Sequence, residues 1–70
     1  MSIEQKVKAA CDLAEISVTQ LAERLGTSQQ NMSKRLKTGR FTDEELKSIG
    51  EAIGAEYRSG FYFSNGNKVE

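Results

Sequence analysis

Apolar positions fall first into four helical stripes and then, near the end of the chain, into an alternating pattern. Ile3, Val7, Ala10, Cys11 and Ala14 recur at the spacing of one helix face, predicting a helix from about Ile3 to Glu15. Ser2 with Gln5 has the spacing of a capping box, in which each side chain satisfies the other residue's free backbone amide. Ser17 with Gln20 repeats that spacing before a second helix whose inner face is Leu21, Ala22 and Leu25. Ile16 and Leu21 stand where a hydrophobic staple would form. Gly26 then offers the left-handed conformation that closes a helix without steric cost.

A third helix is expected to start at Thr27 or Ser28, with Thr27 and Gln30 as a further box. Met32 and Leu36 point inward, and Gly39 ends it. The fourth helix is capped by Thr42 with Glu45 as box partner, and Phe41 can staple to Leu46. Asp43, Glu44 and Glu45 set negative charge at the positive end of its dipole. Leu46, Ile49 and Ile53 form its stripe, and Gly54 closes it. Gly50 costs roughly 1 kcal/mol against Ala in a helix interior, and close approach of another helix is the expected reason.

Beyond Gly54 the period shortens to two. Tyr57, Ser59, Phe61 and Phe63 share one side of a strand over about 56–64. Asn65-Gly66 reads as a tight hairpin turn, with Asn67-Lys68-Val69 returning. The expected fold is mainly α: a four-helix domain over 1–54 with a short β-strand or hairpin over 55–70. A lone strand is marginal in water. Residues 56–64 are therefore expected to pair with a second copy through Tyr57, Ser59, Phe61 and Phe63, giving a homodimer. The alternative is a hairpin folded onto its own helices.

Composition narrows the functional classes. Seventy residues make one small domain, near the lower limit at which a hydrophobic core suffices alone. No apolar run approaches the ~20 residues of a membrane span. The N-terminus lacks the basic-then-apolar pattern of a signal peptide, so a cytoplasmic, nucleoid-associated protein is expected. There is no histidine and one cysteine, which removes the usual general base, the commonest metal ligand and any internal disulfide. Neither enzymatic activity nor a cofactor is expected, and no small-molecule ligand is evident. Cys11, inside an apolar stripe, reads as a core residue.

Charge gives the picture a direction. The 10 basic and 10 acidic residues cancel. Yet Lys34, Arg35, Lys37 and Arg40 lie between Ser28 and Arg40 with no acid among them, leaving a net −4 on the rest. A polarised molecule of this kind offers one face to an anionic partner.

That basic segment belongs to Ser17–Gly39, two short helices joined by a turn at Leu25-Gly26-Thr27. Such a pair forms a helix-turn-helix, whose second helix can enter the major groove of DNA. A glutamine amide there can pair with adenine N6 and N7, so Gln29 and Gln30 at the helix start are candidate base readers. Lys34, one turn on from Gln30, could reach a guanine or a phosphate. Lys37, Thr38 and Arg40 near the helix end suit phosphates, which position a protein without reading sequence. Gln20 and Ser33 join that phosphate-contacting set. Read without the motif, the glutamines are surface and capping residues and the cations a solvated face.

The run from Leu21 to Gln30, LAERLGTSQQ, resembles the Cro and phage-repressor type of helix-turn-helix, the xenobiotic-response-element family. That family shows Leu-Ala-x-x-x-Gly-x-Ser/Thr-Gln. The resemblance covers about residues 1–54 and implies a lambda-repressor-like fold and a DNA-binding transcriptional regulator, usually dimeric on a two-fold symmetric operator. Paired glutamines in such proteins read A-rich operator ends. Two departures stand out. Leu36 lies one residue later than the usual second inward position, which predicts a rotated or extended end of the third helix. The aromatic segment replaces the fifth helix. With no room for a second domain, repression by promoter occlusion is the expected mechanism. Rival readings are an antitoxin or adaptor whose tail binds a protein, and a helix-turn-helix used only for protein contact.

Overall fold

Residues 2–70 are described by the computed structural model, in which every helix starts after a hydroxyl that accepts the amide of its third residue. The elements run α1 (Ile3–Ala14), α2 (Val18–Arg24), α3 (Gln29–Thr38), α4 (Asp43–Ile53), β1 (Ala55–Tyr57), β2 (Phe61–Phe63) and β3 (Lys68–Val69). The chain is thus mainly helical with a small antiparallel sheet at its end, ordered β1-β2-β3.

The capping boxes at Ser2/Gln5, Ser17/Gln20 and Thr42/Glu45 form reciprocally. The fourth does not. Ser28, not Thr27, caps α3, its hydroxyl accepting from the Asn31 amide at 3.1 Å. Thr27 is already committed, because its N–H donates back to the Ala22 carbonyl at 3.0 Å and closes α2. α1 ends at Ala14, one residue short of the expected limit, with Glu15 left-handed at φ 59°. The Glu15 and Ile16 amides reach back to the Asp12 and Cys11 carbonyls.

Each helix contributes to one core: Val7, Ala10 and Cys11 from α1, Leu21 and Ala22 from α2, Met32 and Leu36 from α3, and Leu46, Ile49 and Ile53 from α4. The late position of Leu36 is absorbed by an unbroken helix, a full turn after the equally buried Met32. Leu25 is only half-buried.

The tail takes the alternative form, hairpins folded onto the chain's own helices, and not the single strand over 56–64. Residues 56–64 are not one strand; Arg58-Ser59-Gly60 is a turn that folds β2 back on β1, with Tyr57 opposite Phe61 and Ala55 opposite Phe63. Ser59 lies at the turn, at φ 60°, outside either strand. Phe61 is 1% exposed in the chain's own core, with Tyr57 and Phe63 packed at its edge. The aromatic face expected to meet a second copy is therefore spent internally. The burial gain explains this: three strands laid on helices bury an aromatic that a free strand would expose.

The second hairpin forms with a longer loop than the two-residue Asn-Gly turn. Phe63 N–H donates to the Asn67 carbonyl at 2.9 Å, and Gly66 N–H to the Phe63 carbonyl at 3.1 Å. Gly66 sits at φ 94°, the position a three-residue loop gives to glycine. Asn65 uses its side chain instead, accepting from the Asn67 amide at 2.9 Å.

Gly50 faces a strand, not another helix. A Cβ there would lie 2.9 Å from the Ala55 carbonyl oxygen and 3.4 Å from the Tyr57 nitrogen. The bare backbone of α4 lets β1 run against it.

Candidate nucleic-acid interface

The junction between α2 and α3 is closed by backbone bonds. Gly26 N–H donates to the Glu23 carbonyl and Thr27 N–H to Ala22, with Gly26 at φ 73°. This is the double bond pattern of a left-handed helix end. Ala22 is 1% exposed, and its small side chain suits the contact of α2 with α3. At the far end of α2, Arg24 Nη1 donates to the Ala52 carbonyl at 2.7 Å, tying the helix to the last turn of α4. α3 is thereby held on a rigid base.

With Met32 and Leu36 buried, helical geometry aims Gln30, Asn31, Lys34, Lys37 and Thr38 away from the core, and all five are exposed. Gln30 and Lys34 stand one turn apart. Neither Gln30 nor Asn31 spends its side chain on a hydrogen bond to another described residue, so both amides are free to pair outward. Lys34, Lys37 and Arg40 have no acidic partner among the described residues. Asn31 is absent from the expected readers. Its signal was available in the sequence, since asparagine in a helix's first turn is a weak helix former whose amide a groove can use.

Other expected residues are partly engaged. Gln29 Nε2 donates to Ser33 Oγ at 2.9 Å, so these two act as a pair on the side of α3 towards α1. Thr38 Oγ1 donates to the Arg35 carbonyl at 2.9 Å. Gln20 accepts the Ser17 amide through Oε1 at 2.9 Å, leaving its Nε2 as a donor. Arg35 is withdrawn from the cationic face: it pairs with Glu45 and its guanidinium lies 4.7 Å from the Phe41 ring centre. The Thr42 amide and then Arg35 hold the Glu45 carboxyl below its ordinary pKa.

The arrangement sets the free amides of Gln30 and Asn31 beside three exposed cations, Lys34, Lys37 and Arg40. Among the described residues no His, Cys, Asp or Glu cluster is built to hold a metal, and no helix is long and apolar enough to cross a membrane. Comparison with known protein families, curated proteins and solved structures finds no match for this chain.

Proposed function

We propose that this chain binds double-stranded DNA in a sequence-specific manner, laying α3 in the major groove, and acts as a small transcriptional repressor by occluding its site. One observation carries the reading. The exposed side of α3 and the loop after it combine free amides at Gln30 and Asn31 with the unpaired cations Lys34, Lys37 and Arg40. An α-helix fits the major groove, and its N-terminal residues are the ones brought to base edges. Gln30, Asn31 and Lys34 take the reading role, with the Gln29–Ser33 pair beside them. Lys37, Thr38, Arg40 and the free Nε2 of Gln20 hold phosphates. The likeness of LAERLGTSQQ to Cro-type repressors supports the same assignment.

Selection of bound duplexes from a random library tests it. The expected result is enrichment of one short motif whose recovery falls steeply with salt. Recovery of unselected sequence at every round would overturn the reading.

A further inference from the structure

We propose that the cavity between the α2–α3 turn, α3 and α4 binds one small neutral aromatic alcohol, a molecule of phenol's size and chemistry. The cavity measures about 180 Å³. An engineered apolar cavity of about 150 Å³ takes a benzene ring. Buried Met32 and Ile49 supply its apolar floor, and half-buried Leu25 and Phe41 its sides. This lining suits an aromatic guest better than an aliphatic one. The Phe41 ring can meet a second ring edge to face, and a methionine sulfur packs favourably at a ring's edge.

The rim decides the guest's charge. Arg35 and Glu45 stand there as an ion pair, so the charge at the mouth is already balanced. A carboxylate could take Arg35 only by displacing Glu45, and an ammonium could take Glu45 only by displacing Arg35. Either exchange leaves one charge without its partner. A neutral guest leaves the pair intact.

One polar group at the cavity is unspent. The half-buried Thr27 hydroxyl makes no hydrogen bond to another described residue. Ser48, by contrast, donates its hydroxyl proton to the Glu44 carbonyl at 3.1 Å. A hydroxyl on the ring can satisfy Thr27 as donor or acceptor. The guest therefore sets its ring on Met32 and Ile49 beside Phe41 and its oxygen at Thr27. The walls come from the turn, α3 and α4, so an occupant braces these three against each other without DNA being present.

Titration of the full chain with phenol, followed by NMR of its backbone amides, tests this. Saturable shifts should centre on Thr27, Arg35, Phe41 and Ser48. Benzoate and benzylammonium carry the same ring with a charge and should bind about threefold or more weakly than phenol. Ser48→Leu, at an exposed helix position, fills the mouth and should weaken phenol by at least about tenfold. Thr27→Val keeps the shape without the hydroxyl; it should weaken phenol about fivefold and leave toluene unchanged. Circular dichroism checks that each variant folds. Scattered or unsaturable shifts, phenol bound unchanged by either variant, or a charged ring bound as tightly as phenol would each overturn the proposal.

Discussion

Gly50 and Ala55 approach so closely that a Cβ on the glycine would stand 2.9 Å from the alanine's carbonyl oxygen. Replacing a helix-interior glycine by alanine ordinarily gains roughly 1 kcal/mol. Here the obstructing atom is backbone in a paired strand, so relief requires β1 to move off α4. Overpacking of this kind costs about 1–3 kcal/mol. Gly50→Ala should therefore lower the urea midpoint with little change in slope. A raised midpoint would show that β1 can shift at no cost.

Arg35 separates two accounts of the basic segment. Counted by sequence it is one of four cations; in the fold it is paired with Glu45 over Phe41. Anisotropy titrations of labelled DNA across a salt series should distinguish it from its neighbours. Lys37→Ala should reduce the log–log salt slope by about 0.9, the loss of one phosphate contact. Arg35→Gln should leave the slope unchanged. Equal losses in both variants would return Arg35 to the interface.

The reading residues differ in how free they are. Gln30→Ala should relax discrimination at one base position by about 1–3 kcal/mol, because its amide has no competing partner. Gln29 is held by Ser33, so the two should act together. In a double-mutant cycle on DNA affinity, Gln29→Ala and Ser33→Ala should fall short of additive. Full additivity would mean that the Gln29–Ser33 bond opens on binding.

What could be read in the sequence was local. Capping boxes join residues three apart, and three of the four expected ones formed. The outward set on α3 follows from the burial of Met32 and Leu36 and the helix period. The tail was misread for a geometric reason. Tyr57 and Phe61 lie opposite each other across a hairpin, on the same face, their rings 5.2 Å apart. A three-residue loop between facing positions gives an even separation, so a hairpin imitates the alternation of one long strand. Ser59-Gly60 was the available turn signal, and Gly60 is needed, since a Cβ there would lie 2.5 Å from the Val69 carbonyl oxygen. The partner of Arg35 and the neighbour of Gly50 are set by packing across loops, which periodicity does not register.

Cys11 should be a reporter of unfolding. It is 2% exposed, and burial, with a smaller contribution from Asp12, pushes its thiol up from 9.0 to about 11. Only the thiolate reacts readily. Alkylation near pH 8 should therefore be slow in the native protein and fast in urea. The raised folded pKa also sets a sign: its stabilising contribution is full below about 9 and fades as pH rises through about 11. Native alkylation as fast as that of the unfolded chain would contradict the burial.

Glu45 predicts the opposite dependence at acid pH. Its carboxylate accepts the Thr42 amide at 3.0 Å, the larger cause of its lowered pKa, and pairs with Arg35, the next. A folded-state pKa below the unfolded one favours the folded protein at pH above the ordinary value of 4.5. That advantage is lost as pH falls through the lowered folded value. Glu45→Gln keeps an acceptor for the Thr42 amide but carries no charge to protonate. The variant should melt below wild type at pH 7, and the two melting temperatures should converge as the pH falls below 4.5 and through the lowered folded value. Glu70 is also held low, by Lys68, but it titrates in both proteins and cancels from the difference. A gap that stays constant from pH 7 to pH 3 would assign the effect to packing of Arg35 over Phe41 and not to the charge on Glu45.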